Sequence, residues 1–363
     1  MWTKPYGNTG KDVSVVSFGG MRFDKPDDID ASAEVVLHAH RRGINYFDTA
    51  PGYFAGQSEK IMGAAFARMP RESFYCSSKC MAADGGEFRA SLETSLKRMR
   101  VETIDFFHIW CIVRPEQWAE RKAGGAVAAA LKAKEEGLIG HVVVSAHLAG
   151  DQIAAILREG IVEGLTVGYN ALNVGFRGEA LDCAAELGLG VVTMNPLGGG
   201  VIPTHAERLD FLREPADRSV VEAAVRFNVS HPAITSALVG FGNAQQVDQC
   251  VEAVEGFTPH NAATVKRIAD RVGQRFGAFC TLCGYCLPCP ADVEIPKLME
   301  SYNYKILSAG DQAEESIQKR LGWHWGLSPD AAAACIQCGQ CEDRCTQHLP
   351  IRDRLEEIAG LAE

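Results

Sequence analysis

Between about residues 13 and 255, short apolar runs alternate eight times with longer amphipathic ones, and this alternation restricts the fold more than any other feature of the chain. The expected strands are Val15–Phe18, Asn45–Asp48, Phe74–Ser78, Asp105–Ile109, His141–Ser145, Leu165–Tyr169, Gly190–Met194 and Ser236–Val239. Each is short and bounded by Gly, Asn or Asp, whereas the segments between them carry apolar residues at helical spacing. Eight strand–helix units in a row predict a parallel sheet closed into a (β/α)8 TIM barrel. A doubly wound open sheet is the alternative, but no GxGxxG follows the first strand, as its dinucleotide-binding form would require. The chain has 363 residues, more than the roughly 250 of a typical barrel. After Phe257-Thr258-Pro259 the alternation stops, and a helix near 262–275 leads into a different kind of sequence. The expected division is a barrel over 1–258 and a small α-rich domain over 259–363.

That second region holds eight of the thirteen cysteines, in two runs. The first is Cys280, Cys283, Cys286 and Cys289, followed by Pro290; the second is Cys335, Cys338, Cys341 and Cys345. Three thiolates spaced C-x2-C-x2-C wrap one face of an iron–sulfur cube, and a fourth comes from elsewhere. Zinc also accepts four thiolates, but its sites usually pair two distant CxxC elements rather than packing four cysteines into about ten residues twice. Two [4Fe-4S] clusters are therefore expected. A disulfide framework suits short secreted chains better than this one.

A net charge of −10 argues against a nucleic-acid surface, because phosphate binding needs a basic face. No run of 18 apolar residues suggests a membrane span, and the N-terminal stretch lacks the apolar core of a signal peptide. The expected location is the cytoplasm, with a small-molecule substrate and an electron-donor protein as the partners to consider.

Several segments together resemble the aldo-keto reductase superfamily, in particular its bacterial branch fused to a C-terminal ferredoxin-like, two-cluster domain. They are YGNTGKDVSVVSFGGMRF, INYFDTAPGY, QSEKIMG, SLETSLKRM and MNPLGGG, in that order, ahead of the cysteine runs. The resemblance implies a nicotinamide cofactor across the C-terminal mouth of the barrel and a catalytic Asp, Tyr, Lys and His. Asp48 and Tyr53 stand in DTAPGY and Lys79 stands in SSKC. On this pattern Tyr53 is the general acid, Lys79 lowers its pKa and Asp48 anchors Lys79. The family places its His five residues after the Asp of the fourth strand; here that position is Trp110, and His108 lies two residues earlier. Along a strand His108 would point the same way but about 6–7 Å deeper unless a bulge restores it, leaving Trp110 in the substrate pocket.

By the same resemblance the cofactor would touch Ser145, His147, Tyr169, Asn170, Asn195, Pro196, Leu197, Gly198, Gly240, Gly242 and Asn243. The last three open the eighth helix, where free backbone N–H groups suit a phosphate. No Lys or Arg follows in 239–250, so NADP and NAD both stay open, and flavin is a further option. By analogy with two-cluster ferredoxins, the fourth cysteine of each run serves the other cluster: Cys280, Cys283, Cys286 with Cys345, and Cys335, Cys338, Cys341 with Cys289. Three functions follow: a nicotinamide-dependent carbonyl or alcohol oxidoreductase; a reductase whose clusters feed single electrons to a substrate or flavin in the barrel; and a non-catalytic redox-sensing or partner-binding subunit. Trp323-His324-Trp325 fits ordinary packing.

Overall fold

A computed structural model describes residues 1–172, 174, 177–272, 279–280, 282–307 and 312–362. The last three residues of the helix expected at 262–275, and the side chains of Trp323 and His324, lie outside the described residues.

A hairpin of β1 (Thr3–Pro5) and β2 (Asp12–Ser14) precedes a closed parallel barrel. Its strands are β3 (Val16–Gly19), β4 (Tyr46–Asp48), β5 (Tyr75–Cys80), β6 (Ile104–Ile112), β7 (Ile139–Ala146), β8 (Gly164–Gly168), β9 (Gly190–Met194) and β10 (Ser236–Gly240), with β10 paired to β3. All eight coincide with the expected segments to within a few residues. Around them run α1 (Ile29–Arg41), α2 (Gln57–Phe66), α3 (Gly85–Met99), α4 (Pro115–Ala123), α5 (Ala126–Glu135), α6 (Gly150–Leu157), α7 (Gly178–Glu186), α8 (Val201–Thr204), α9 (Val220–Ser230) and α10 (Ala244–Val254). Side-chain oxygens at Asp28, Asp84, Ser219 and Asn243 cap the starts of α1, α3, α9 and α10, each taking up backbone N–H groups that the helix cannot.

The barrel is filled in layers. Tyr6, from the hairpin turn, plugs the floor and is fully buried with Tyr46, Phe106, Val143 and Val192. The plug requires glycine at two strand starts: a Cβ at Gly164 or Gly190 would stand 2.2 or 2.1 Å from the Tyr6 ring system. Above the aromatic floor the inward positions turn polar, with Asp48, Ser77, Lys79, His108 and Thr166 all buried. That change from apolar to polar toward the C-terminal strand ends positions the site.

Next, α11 (Ala262–Val272) lies on the barrel, where its Ile268 and the later Phe279 join the barrel core. The packing unit of the barrel thus extends past the expected boundary at 258. Beyond it come α12 (Ile295–Leu307), α13 (Gln312–Arg320), α14 (Gln340–Asp343) and α15 (Ile351–Ala359). They have a separate core that includes Ile295, Leu298, Ile317, Leu321, Leu355 and Ile358. Among the described residues no helix is long and apolar enough to cross a membrane.

Candidate active site

Asp48 ends β4 and Lys79 lies near the end of β5, both about 2% exposed. The Lys79 ammonium is ion-paired with Asp48 Oδ1 and donates to the Thr49 carbonyl at 2.7 Å, while Ser77 Oγ donates to Asp48 Oδ2 at 2.6 Å. Tyr53 follows in a tight turn in which Phe54 and Ala55 both take left-handed backbone angles. Such angles are costly for residues with a Cβ and collect at functional sites. Lys79 Nζ lies 5.3 Å from the centre of the Tyr53 ring. The expected lowering of the Tyr53 pKa by Lys79 is not what this geometry gives. Burial first, and then the Asp48 charge, hold the phenol well above its ordinary value, because the lysine charge is committed to Asp48. Burial also lowers the Lys79 pKa, with Asp48 opposing.

His108 stands opposite Lys79 in the β5–β6 register. Its Nδ1 donates to the Ser78 carbonyl at 3.1 Å, with Ser77 Oγ at 3.3 Å, and its Nε2 accepts from Thr166 Oγ1 at 2.8 Å. It is a satisfied interior histidine, pushed down to about 4 by burial and then by Lys79. A bulge does occur in β6, between Ile109 and Ile112, with Cys111 at φ 62°. It falls after His108 and so cannot lift it to the mouth. Trp110 is what reaches the rim, edge-on to Tyr53 with ring centres 5.8 Å apart.

A cleft of about 450 Å³ opens over these residues. Asp48, Tyr53 and His147 line it, as do Asn195, Pro196 and Leu197, which form a wall beyond β9, and Gly240, Gln246, Gln249 and Cys250 at and beyond the end of β10. Of the remaining residues expected at a cofactor, Ser145, two residues before His147, is buried with no partner for its Oγ among the described residues. Gly198 packs behind the wall, near Leu172 and Val201. Gly242 and Asn243 form the start of α10, where Gly242 N donates to Gln246 Oε1 and Asn243 Nδ2 to Asp24. Tyr169 is displaced from its expected place on the cofactor. It continues β8 with outward parity, since Thr166 points in, and its ring stacks on Phe227 at 6.0 Å. Asn170 braces the wall by donating to the Asn195 carbonyl at 2.9 Å.

The cysteine region supplies part of the same cleft: Cys283, Tyr285 and Thr346 line it. Tyr285 meets Trp110 at 6.4 Å and His147 at 5.9 Å. Arg177, about 1% exposed, bolts the two parts together by donating to the carbonyls of Gly168, His147 and Thr346 at 2.8, 3.1 and 3.0 Å. His348 adds a 2.7 Å bond to the His147 carbonyl. The sequence offered no signal for these contacts: Tyr285 reads as a spacer inside CGYC, and Arg177 as a loop charge.

The two cysteine runs repeat one conformation. Leu282 and Gln337 are both left-handed, as are Gly284 and Gly339, and Asp292 and His348. Leu282 N donates to Cys280 Sγ at 3.5 Å, Gln337 N to Cys335 Sγ and Leu349 N to Cys345 Sγ, both at 3.4 Å. Amide donors of this kind suit thiolates. Cys280 feels the charges of Cys283, Cys345 and Cys286, while a separate void lies among Cys286, Cys289, Cys335, Cys338 and Cys341. The donor chemistry and this grouping fit two cubic clusters.

Residues 15–270 match the aldo/keto reductase family. The chain belongs to that family. It is an oxidoreductase, and residues 279–349 match the 4Fe-4S dicluster domain, so this aldo/keto reductase carries an iron–sulfur module rather than a zinc one. It is 28% identical over 279 residues to an L-galactose dehydrogenase of Arabidopsis thaliana, covering 68% of this chain and 86% of the relative. It is 28% identical over 205 residues to an NADH-specific methylglyoxal reductase of Escherichia coli, covering 51% and 62%. The holo structure of aldo-keto reductase AKR11C1 from Bacillus halodurans superposes with a TM-score of 0.66 at 22% identity, covering 76% of this chain and 97% of that one; at that identity the likeness shows the fold.

Proposed function

We propose that this reductase interconverts a small carbonyl compound and its alcohol in the mouth cleft, using a nicotinamide cofactor, with Tyr53 passing the proton. The observation that carries this reading is the shared cleft face of Asp48 and Tyr53 with Lys79 locked behind Asp48. The Tyr53 phenol is protonated through the neutral range, and its hydroxyl would pass the proton as charge grows on a substrate oxygen. The Asp48–Lys79 pair and the Thr49 carbonyl hold the floor beneath it. A bound reduced nicotinamide would supply hydride to the carbonyl carbon; Asn195, Pro196 and Leu197 would lie along it, and Gly240, Gly242, Asn243 and the start of α10 would face its phosphates. The cleft volume is of the size that small-molecule sites have. The names of the Arabidopsis and Escherichia coli relatives fit carbonyl–alcohol chemistry. The barrel and the iron–sulfur module are read as two domains meeting near residues 272–279. Cys280, Cys283, Cys286 and Cys345 are assigned to the inner cluster and Cys289, Cys335, Cys338 and Cys341 to the outer one.

A second reading has one observation in its favour. Cys283 and Thr346 line the cleft itself, so the inner ligand set borders the substrate space. Bound clusters supply single electrons, and on this reading the cleft holds a substrate or flavin that receives them. The intact Asp48, Tyr53 and Lys79 oppose a non-catalytic role. Tyr53→Phe separates the readings: under the first, turnover falls by roughly 10²–10⁴ while nicotinamide affinity stays put. Unchanged turnover would refute it.

A further inference from the structure

His147 follows the end of β7, is about 2% exposed, and has no hydrogen-bond partner for either ring nitrogen among the described residues. Ser145, two residues earlier, is about 1% exposed and its Oγ is equally unpartnered. A buried polar atom without a partner is costly, because it has given up its hydrogen bonds to water and gained none in return. His147 lines the cleft, so its unpartnered ring marks a place that a ligand completes. The His147 backbone, by contrast, is held from every side: its N–H donates to the Ile112 carbonyl at 2.8 Å, and its carbonyl accepts from Arg177 and His348. The ring lines the cleft beside Tyr285, Tyr285 meets Trp110, and Trp110 meets Tyr53. The four rings follow one another in contact, and three of them, His147, Tyr285 and Tyr53, line the cleft. Burial, then Arg177 and His348, push the imidazole down to about 3, so it is neutral and offers one donor and one acceptor.

We propose that His147 is a catalytic residue, in place of the cofactor contact the resemblance implies, donating a hydrogen bond to the carbonyl oxygen of a neutral substrate whose planar apolar part lies between Tyr53 and Tyr285. This rests on the carbonyl–alcohol reading of the mouth, and it gives His147 the role of the family's catalytic histidine, for which the sequence offers His108 two residues short of the expected spacing. His108 has both nitrogens committed inside the barrel. A fixed neutral donor in a dry cleft binds the oxygen more strongly as its charge grows, without reorganising.

The test uses anaerobically purified holoenzyme and para-nitrobenzyl alcohol, a neutral planar probe, with binding read by calorimetry. The wild type binds it; His147→Phe weakens binding about tenfold, the upper range for one neutral hydrogen bond; His147→Gln, which keeps a donor and an acceptor, regains most of the loss. Cluster absorbance and circular dichroism confirm that each variant is folded, and His147→Gln carries the comparison if His147→Phe is not. With reduced nicotinamide and para-nitrobenzaldehyde, His147→Phe lowers kcat/KM by about 10²-fold. Equal probe affinity in wild type and His147→Phe, or no binding to the wild type, overturns the assignment. Turnover slowed by Tyr53→Phe but not by His147→Phe removes His147 and leaves the wider reading standing. Turnover indifferent to Tyr53→Phe removes that reading as well.

Discussion

Lys79→Met is the most informative single perturbation of the barrel. The side chains of Lys79 and Asp48 are 3% and 2% exposed, and their ion pair is reinforced by Thr49 and Ser77. Removing the lysine leaves a nearly buried carboxylate at the cleft lining with one hydroxyl donor. Stranding one member of a buried pair costs about 3–5 kcal/mol, whereas replacing both members is often close to neutral. The double variant Lys79→Met/Asp48→Asn should therefore recover most of the loss, because the asparagine keeps an acceptor for Ser77 and no charge is left unpaired. Urea unfolding of the anaerobic holoenzyme, followed by far-ultraviolet circular dichroism at neutral pH, yields the cycle, and unchanged slopes show that the same surface is exposed in each variant. A single-variant cost under about 1 kcal/mol would mean that water reaches the pair. A double variant as unstable as Lys79→Met would mean that Lys79 acts by filling space. Either result would refute the account of the polar layer.

Two further outcomes follow from the same structure. His108 is pushed down to about 4 in the fold from an ordinary 6.5; the unfolded chain therefore takes up a proton first as pH falls, and stability drops by roughly 3 kcal/mol between about pH 6.5 and 4. His108→Gln should flatten that part of the stability profile, and an unaltered slope would contradict the satisfied, neutral histidine. Anaerobic protein should contain about eight iron and eight sulfide per chain, four of each per cube, and Cys335→Ser should lose one cluster while the barrel keeps its circular dichroism. Stoichiometric zinc with negligible iron, or wholesale loss of the barrel signal, would contradict it.

The barrel was legible because its period is. Each strand is a short apolar run, each helix an amphipathic one, and eight repeats leave few architectures open. The floor was less legible: nothing local marks Tyr6 as the plug for which Gly164 and Gly190 make room, since that contact joins residues some 160 positions or more apart. Asp48, Tyr53 and Lys79 are singled out by family resemblance, since residue type alone fits a helix cap, a rim aromatic and a solvated charge equally well. The depth of His108 was correctly in question, and only the register shows that the bulge comes one step too late. Family resemblance alone puts Tyr169 on the cofactor, whereas the alternation of β8, with Thr166 inward, turns it outward onto Phe227. The interlock of Arg177, His348, Thr346 and Tyr285 was not readable, because backbone carbonyls accept most of its bonds and carry no sequence signature.

The central claim, that the mouth performs carbonyl–alcohol chemistry through Tyr53, is tested most directly by a single anaerobic turnover. Holoenzyme is mixed with reduced nicotinamide and a small carbonyl probe, and nicotinamide and cluster absorbance are followed together. The expected result is nicotinamide oxidation matched by alcohol formation, slowed by roughly 10²–10⁴ in Tyr53→Phe. Nicotinamide left untouched, while chemically reduced clusters are reoxidised on adding the probe at a rate indifferent to Tyr53→Phe, would contradict it.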